Sequence, residues 1–582
     1  MKKILFALCS FAILLTACEK NQLPQLPQNP YRMVVEYTPG SYTLEVPGNV
    51  TPDELYPWLS VSQNGNTVSF TVRRNTQDII RRAEFTVAGK TDKMVISQKP
   101  HKLDGACTAS IDAQSLGSAT IGFSFSTKFA DDYEAWGVAY GETSDVAAAK
   151  AVPQTGTPVA GKSISATITG LKENTDYYIW TYIVSTEGDK IFSPMTAMIP
   201  PVYVKAGEDV VAAITAAKEY AEIRVQGGQN LGAFYLGSFA KNKTITGSWN
   251  ASFTEQDVMN NPTIFDGGNA NIALLIAGSS AGDAALDGAV EVSCFDIRNG
   301  KSAYGGGVYA VGGPITVRNC YIHDNEATDR GGGIAQGKSI NGTLNIVNNI
   351  IEGNKAAGHG AGISIETGNP TDGEPPYNYA FIVSNLIKDN ISIARDGYAS
   401  SIYTAYSVDV QIVNNTIVGN MNWNEYGGPY PGFKIRGDGF VALANNLVVG
   451  NLCSDCHKDT PDESPVYYRQ DRHIDVSGAY AGLAFNIFEG TVSGTQNCFT
   501  DEQNTYMPFG FELSEVITAD YKPAGKALGH GQLIGFTYSS DRHRDVNVCE
   551  VASILSKFNK DLAGNPRVVN DKVDCGCYQV SK

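Results

Sequence analysis

A short apolar strand recurs along the chain between residues 290 and 451, and asparagines flank it in each copy. Two of the copies are VNNIIEGN at residues 347–354 and VNNTIVGN at residues 413–420. The aligned apolar positions lie 25 to 40 residues apart and are Ile297, Ile322, Ile351, Ile387, Ile417, Val448 and Phe488. A repeat of this length is typical of a stacked architecture, in which each unit covers the apolar face of its neighbour.

The flanking asparagines form two aligned columns. The first consists of Asn349, Asn385, Asn415, Asn446 and Asn486, and the second of Asn325, Asn354, Asn390, Asn420 and Asn451. A side-chain amide both donates and accepts hydrogen bonds, so stacked amides satisfy one another. Because an unsatisfied buried amide costs about 1–3 kcal/mol, we predict a structural ladder inside the bends and assign these asparagines no catalytic role.

A second strand in each unit follows small residues, as in GGGI at residues 331–334 and GAGI at residues 360–363. Together the two strands resemble those of right-handed parallel β-helix proteins, a group that contains pectate-lyase-like polysaccharide lyases and glycosidases. The GGGI repeat is also similar to noncatalytic surface proteins such as the chlamydial polymorphic outer membrane proteins. The resemblance implies a β-helix over residues 201–500. A helical period at residues 208–220, with Val211 and Ile214 on one face, predicts the amphipathic helix that closes its N-terminal end.

Before the repeat, apolar and polar residues alternate in short runs separated by turn residues, which indicates β-sandwiches. Residues 31–100 resemble a BACON domain, with WLSV at 58–61 and VISQ at 95–98. That resemblance implies either glycan binding or a spacer, and we favour the spacer, with Trp58 in the core. Residues 101–200 resemble a fibronectin type III domain through the corner around Tyr177. The expected fold class is therefore all-β: two N-terminal β-sandwiches followed by a right-handed parallel β-helix with an N-terminal capping helix.

The chain begins with MKK, a mostly apolar run at residues 4–15 and the sequence LTAC at residues 15–18. The apolar run is short for a membrane span and predicts an export signal. Its ending resembles the lipobox of bacterial lipoproteins, which implies that residues 1–18 are a signal peptide and that Cys18 carries lipid. The Pro-rich residues 19–30 then form a tether. We expect an outer-membrane lipoprotein that faces the cell exterior, with the periplasmic face as the alternative.

Charge and cysteines narrow the class of protein further. A formal net charge of −16 argues against nucleic-acid binding. Residues 501–582 resemble the closing segment of choice-of-anchor proteins, so we expect the end and cap of the β-helix there. Cys575 and Cys577 replace two residues of the usual ending, with Cys549 not far upstream, and we expect a local disulfide at the cap whose connectivity stays open. Cys453, Cys456 and His457 match a haem-attachment spacing, but we favour a disulfide or free thiols over haem or metal.

Long insertions interrupt the repeat at three places. One of them, at residues 422–430, is rich in aromatic residues. Its Trp423, Tyr426 and Tyr430 offer faces on which sugar rings stack, and Glu425 lies between them. We therefore take these four as candidate ligand-binding residues. The alternative is that the aromatic rings only pack over the strands beneath them.

Lys434, Arg436 and Asp438, together with Asp396 one coil earlier, form the best candidate catalytic constellation. A uronate lyase needs a base, usually Lys or Arg in this fold, and a cation that neutralises the carboxylate. Alternation with apolar neighbours places Lys434 and Arg436 on the outer face of one strand. The alternative, which we favour, is a solvated face with ordinary ion pairs. A hydrolase would need two carboxylates about 5–9 Å apart, for which Asp396, Glu425 and Asp438 are candidates.

Two classes of function remain. The first is a noncatalytic, lipid-anchored surface protein whose β-helix binds glycan or another surface. The second is a polysaccharide-degrading enzyme, more plausibly a uronate lyase than a glycoside hydrolase. We favour the first because the sequence carries no convincing acid/base signature. We expect no cofactor or metal, and calcium only in the case of a lyase, since no Asp-rich calcium loop is evident.

Overall fold

In a computed structural model, the described residues divide between two compact units, Met1–Pro201 and Val202–Lys582. The described residues are 29–75, 79–99, 107–125, 133–156, 161–185, 190–337, 342–366, 378–393, 399–405, 408–422, 431–454, 467–469, 472–494, 498, 500–540 and 543–581. Among them, no helix has the length and apolar character needed to cross a membrane.

The first β-sandwich consists of a four-stranded and a three-stranded sheet. The four-stranded sheet contains, in spatial order, Arg32–Val35, Met94–Gln98, Arg81–Val87 and Val50–Pro52, and the other contains Gly40–Glu45, Thr67–Val72 and Leu59–Asn64. Alternation along Thr67–Val72 buries Val68, Phe70 and Val72, which share one core with residues of the facing sheet. Trp58 packs against the same core.

The second β-sandwich also has two sheets around one core. One contains Lys150–Pro153, Tyr133–Gly141, Tyr177–Ser185, Lys190–Phe192 and Thr196–Met198, and the other contains Ile164–Thr169, Ser118–Phe125 and Cys107–Ser115. Phe123, Phe125 and Trp136 pack together at its centre. The hydroxyl of Tyr177 accepts a hydrogen bond from the backbone N–H of Lys172 at 3.1 Å, which fixes the strand corner.

The second unit begins with Val202–Val204 and helix α1, Val210–Ala216. Asp209 caps the helix, because its carboxylate accepts a hydrogen bond from the Ala212 N–H at 3.0 Å. Val210 and Ile214 are buried, whereas Val211 is exposed, so the predicted apolar face was wrong at Val211. In a helix of period 3.6, Val210 and Ile214 lie one above the other, and Val211 points away from them.

Three parallel sheets form the β-helix, and the predicted fold class is confirmed. The first sheet contains two strands of most coils: Val202–Val204, Glu222–Gln226, Phe234–Leu236, Lys243–Trp249, Leu274–Ile276, Leu286–Ser293, Val308–Ala310, Gly312–Arg318, Ile334–Gln336, Thr343–Val347, Ile363–Glu366, Asn378–Val383, Ile402–Ala405, Val408–Val413, Phe433–Ala444, Arg472–Ala484, Thr491–Ser493 and Thr500–Glu502. The second sheet contains Gln229–Asn230, Thr263–Asp266, Asp296–Arg298, Tyr321–His323, Ile350–Glu352, Leu386–Lys388, Thr416–Val418, Leu447–Val449, Ile487–Glu489 and Thr505–Met507. The third contains Lys301–Tyr304, Glu326–Arg330, Lys355–Ala356, Ile391–Ser392, Met421–Asn422, Leu452–Ser454 and Tyr467–Arg469, the last of which pairs antiparallel.

The interior of the β-helix is a stack of aligned apolar side chains. In the second sheet the seven positions of the sequence repeat pair in register from coil to coil, and all are fully buried. Each strand therefore contributes one layer to a continuous core, which is why the apolar position recurs once in every coil.

Two ladders of asparagine amides run through the bends beside this core. In the first, Asn349, Asn385, Asn415, Asn446 and Asn486 each donate from Nδ2 to the Oδ1 of the next member, at 2.9 to 3.1 Å. The last acceptor is Asn504, which follows Asn486 by only 18 residues and was missed for that reason. The second ladder joins Asn325, Asn354, Asn390, Asn420 and Asn451 at 2.9 Å.

The C-terminal segment lies along the side of the coils rather than only across their end. It contains the antiparallel strands Gly535–Ser540 and His543–Glu550 and helix α2, Val551–Lys557. Val347, Val383 and Val413, on the outside of three successive coils, pack in one cluster with residues of this segment. Asn414 and Asn445 donate to its backbone carbonyls. The segment thus covers apolar outer positions that would otherwise face water.

The expected local disulfide at the cap was wrong, because Cys549, Cys575 and Cys577 are all free thiols, and the last two are fully buried. Cys575 packs with Leu447 and donates from Sγ to the Phe485 carbonyl at 3.0 Å. Cys577 packs with Leu386 in another cluster. Gly576, between them, has a positive φ angle, so the chain bends there and the two thiols fill different parts of the contact. Cys453 is also a free, buried thiol.

Candidate functional site

The outer face of the first sheet carries polar and charged residues on four consecutive coils. Ile402, Phe433 and Ile474 are fully buried and in register, which leaves their neighbours on the outside. Ser364, Tyr403, Lys434 and Asp475 therefore form one outward column across four coils, and Glu366, Ala405 and Arg436 lie two residues further along their strands.

Tyr304, Arg330 and His359 precede this face in the chain, each directly before a small-residue turn. Gly305, Gly331 and Gly360 follow them with positive φ angles and turn the chain from the third sheet into the first. Hydrogen bonds from Gly305 N–H to Arg330 O and from Gly331 N–H to His359 O keep the three positions in register. We use the name charged face for two of these residues, Arg330 and His359, together with the outward residues beside them: Glu366, Tyr403, Lys434, Arg436 and Asp475.

Two ion pairs organise the charged face. Arg330 pairs with Glu366, and its Nε also lies 3.1 Å from Asp329 Oδ1. Lys434 Nζ lies 2.9 Å from Asp475 Oδ2, and the two side chains are only 13% and 5% exposed. An adjacent cation favours the ionised form of a carboxylate. Glu366 and Asp475 are thus each held by a cation of the same face.

Tyr403 and His359 lie between these cations. Their ring centroids are 4.5 Å apart, and the Arg330 guanidinium lies 6.0 Å from the Tyr403 ring. Arg436 donates a hydrogen bond to the Tyr403 hydroxyl. Burial, together with the positive charges of Arg330, Arg436 and Lys434, lowers the pKa of His359 to about 4 against an opposing effect of Asp329. At neutral pH the imidazole is therefore uncharged and has a lone pair that can accept a proton.

The structure describes only part of the site that the sequence suggested. Lys434 and Arg436 are both on the outer face. Asp396, Trp423, Glu425, Tyr426 and Tyr430 lie outside the described residues, as do Cys18, Cys456 and His457, and nothing is described of the Asp438 side chain. In chain order, the segments 394–398 and 423–430 join the third sheet to the first, the same connection that carries Arg330 and His359 in earlier coils.

Sequence reasoning missed Tyr403 and Asp475 because of register. The glycine run that marks this strand in earlier coils is reduced to Gly432 before Phe433, so the sequence does not show that Ile402 pairs with Phe433. The corrected alignment places Tyr403 beside Lys434, and Lys434 beside Asp475.

Arg330 and His359 were missed for another reason. The repeated position before each glycine turn, occupied by Tyr304, Arg330 and His359, was a signal in the sequence that we did not use.

A second polar cluster lies on the second sheet, away from the charged face. His323 contacts Asp296 through Nε2 at 3.0 Å and Asp324 through Nδ1 at 2.7 Å, and its ring stacks on Tyr321. Burial lowers the pKa of His323, but the two carboxylates outweigh that effect and raise it. Both ring nitrogens are engaged with side chains of the same sheet, which indicates a structural role.

Calcium, which the resemblance to lyases would allow, does not fit the described part of the charged face. No group of three or more His, Cys, Asp or Glu side chains among the described residues could hold a metal ion. Asp329 and Glu366 are bonded to Arg330, and Asp475 is bonded to Lys434. Carboxylates that already neutralise cations are poor ligands for a hard divalent ion, which needs several unshared oxygen atoms.

Comparisons with known proteins identify no family for this chain. No protein-family model matches the chain, and no curated protein matches it. Similar solved structures include pectate lyase PelI from Erwinia chrysanthemi, at 12% identity with a TM-score of 0.15 over 70% of this chain and 92% of that chain. The same lyase in complex with tetragalacturonic acid matches at 11% identity and a TM-score of 0.15, over 69% of this chain and 99% of that chain. Pectate lyase Pel3 from Pectobacterium carotovorum matches at 11% identity and a TM-score of 0.15, over 70% and 92% of the two chains.

Proposed function

We propose that the protein is a lipid-anchored bacterial surface protein whose β-helix binds an acidic glycan at the charged face. The observation that carries this proposal is the exposed Arg436 beside the partly buried His359 ring, on a face that the ion pairs Arg330–Glu366 and Lys434–Asp475 organise. Guanidinium groups bind carboxylates with good geometry, and a planar ring offers surface to a sugar. Tyr403 is only 3% exposed and supports both residues through its contacts with them. The two groups together suit a sugar that carries a carboxylate.

The geometry of the coils suits a polymeric ligand. Successive strands of a sheet lie about 4.8 Å apart, so an extended glycan along the β-helix axis would meet one coil after another. Tyr309, which occupies the same outward column two coils before Ser364, extends the aromatic surface in that direction. The candidate ligand-binding residues Trp423, Glu425, Tyr426 and Tyr430 belong to a connection that joins this face and are part of the proposal.

Acidic glycans are expected to bind the protein, whereas neutral glycans of similar length are not. The measurement is affinity electrophoresis of the full-length, detergent-solubilised protein in gels containing polygalacturonate, alginate, dextran or galactomannan. Retention by an acidic glycan should weaken as salt is raised, because exposed charges are screened over about 10 Å at 0.1 M salt. Retention by the neutral glycans alone, or by none of the four, would count against the proposed function.

The lipid anchor rests on the resemblance of LTAC at residues 15–18 to a lipobox. Cells fed labelled palmitate are expected to label the wild-type protein and a Cys498→Ala variant, but not a Cys18→Ala variant. Cys498, another cysteine of the predicted mature chain, serves as the matched control. Equal labelling of the Cys18→Ala protein would show that the lipid is elsewhere or that the signal belongs to another class.

A further inference from the structure

Asparagine is followed by glycine at three places in the chain, and two of these pairs lie wholly within the described residues. Asn64 and Gly65 belong to the first β-sandwich, and Asn299 and Gly300 belong to the β-helix. In such a pair the backbone nitrogen of glycine can attack the side-chain amide carbon of asparagine, because glycine has no side chain that hinders the approach. The two pairs share this chemistry, so only their surroundings in the folded chain distinguish them.

Asn64 and Gly65 lie at the tip of the hairpin that joins the strands Leu59–Asn64 and Thr67–Val72. Asn64, Gly65 and Asn66 are all exposed, and no heavy atom lies within 4 Å of the place that a Cβ at Gly65 would take. Neither the Asn64 amide nor the Gly65 N–H has a hydrogen-bond partner in the described part of the chain. Both reacting groups are therefore free and open to solvent.

The hairpin tip can also open at low cost. In the extended backbone of a strand the following nitrogen does not face the side-chain amide, so the attack requires a local change of conformation. Beyond the strand pairing, the tip is held by hydrogen bonds from Val46 N–H to Asn66 O at 2.7 Å and from Gln63 Nε2 to Gly65 O at 2.9 Å. Exposed turns of this kind open with free energies far below that of global unfolding.

The corresponding groups of Asn299 and Gly300 are bonded inside the β-helix. Asn299 Nδ2 donates to both carboxylate oxygens of Asp266, at 3.1 and 3.2 Å. The N–H of the buried Gly300 donates to Asn325 Oδ1 at 2.8 Å. Because Asn325 belongs to the second asparagine ladder, an attack by the Gly300 nitrogen would first require the ladder to open there. The fold thus protects this pair and leaves the pair in the hairpin unprotected.

We propose that Asn64 is a site of spontaneous covalent modification, at which the side-chain amide is lost and aspartate and isoaspartate form. The Gly65 nitrogen gives up its proton and bonds to Asn64 Cγ, and the bond from Cγ to Nδ2 breaks as ammonia leaves with that proton. Water then opens the cyclic imide. Addition of water across the new Cγ–N bond gives aspartate, and addition across the original backbone C–N bond gives isoaspartate, in which the chain runs through Cγ.

The modification changes the first β-sandwich in two ways. Both products place a negative charge at the end of the strand Leu59–Asn64. Isoaspartate also adds a carbon atom to the backbone, which lengthens the turn and moves Gly65 O away from Gln63. The Gln63 amide also accepts from Val50 N–H at 2.9 Å and donates to Gly48 O at 2.8 Å. The longer turn therefore disturbs a side chain that joins the two sheets of the sandwich.

The test incubates the folded, full-length, detergent-solubilised protein at mildly alkaline pH and follows each pair by peptide mass spectrometry. We expect the peptide that contains Asn64 to gain the mass of an amide-to-acid conversion and to separate into an aspartate and an isoaspartate form. Asn299 is the matched control within the same chain. It should convert at least about 100-fold more slowly, the factor expected when several hydrogen bonds of ordinary strength must break before the attack.

Two further samples show whether the fold and the chemistry are assigned correctly. In protein unfolded by guanidinium chloride, Asn64 and Asn299 should convert at similar rates, because both pairs then have the same surroundings. Asn64→Gln should abolish the conversion at the hairpin, since attack on the longer side chain forms a larger and less favourable ring.

An unmodified Asn64 in folded protein, under conditions in which the unfolded chain converts at both positions, would overturn the proposal. Equal rates of conversion at Asn64 and Asn299 in the folded protein would also overturn it, because the surroundings of the two pairs would then not control the reaction.

Discussion

Replacing Asn415 by alanine is expected to destabilise the β-helix by about 3–5 kcal/mol, because several buried hydrogen bonds are lost at once. Its Nδ2 donates to the carbonyls of Ile382 and Val413 and to Asn446 Oδ1. Its Oδ1 accepts hydrogen bonds from both the backbone N–H and the Nδ2 of Asn385. Alanine would leave these neighbouring groups buried and unsatisfied in the middle of the ladder.

The measurement is the free energy of unfolding from urea titration of wild type and variant. Asn422→Ala is a matched control, because Asn422 is also fully buried and lies on the same coil, yet its amide has no hydrogen-bond partner among the described residues. We expect that control to change stability by much less than Asn415→Ala. Equal effects of the two substitutions would contradict the view that the ladder bonds stabilise the fold.

Replacing Lys434 by methionine is expected to lower the unfolding free energy by about 3 kcal/mol, since it leaves the Asp475 carboxylate charged at a site that is only 5% exposed. Asp475→Asn removes that charge. The double variant should therefore recover most of the loss, with a coupling energy on the order of 1–3 kcal/mol between the two sites. Urea unfolding of both single variants and the double variant completes the cycle. Additive losses would show that the pair does not act as a unit.

The fold could be predicted from sequence because the repeat carries its own alignment. Ile322, Ile351 and Ile387 recur at one position per coil, and each is buried in register with the next. The asparagine columns were visible for the same reason, until the spacing shortened to 18 residues at Asn504. The same pattern of buried positions recurs in every coil, so a coil that is misaligned in the sequence can be recognised from the alignment of the other coils.

The candidate site could be predicted only in part, because it is not periodic. Lys434 and Arg436 were found from simple alternation along one strand. Asp475 lies on the next coil, 41 positions further along the chain, and its contact with Lys434 depends on a register that the sequence left ambiguous by two residues. His359 and Tyr403 lie on successive coils. Nothing in the local sequence of either residue indicates that a side chain before a glycine turn contacts a side chain on the following coil.

The C-terminal segment shows the same limit. Its closing sequence was recognisable, but its contacts were not. Cys577 packs with Leu386, and Asn445 donates to the carbonyl of Gln532, and in both cases the partners lie very far apart in the chain. No repeat relates these partners, so only the tertiary structure shows that the segment covers outer positions of several coils.

The measurement that tests the central claim most directly compares Arg436→Ala with Arg318→Ala for retention by an acidic glycan. Arg436 belongs to the charged face, whereas Arg318 is a half-exposed arginine of another first-sheet strand that pairs with Glu291 at 3.5 Å. Loss of a charge-assisted hydrogen bond costs about 1.5–3 kcal/mol, so Arg436→Ala should weaken binding by roughly 10-fold or more. Arg318→Ala should bind as the wild type does. Equal retention of the two variants would contradict the assignment of glycan binding to the charged face.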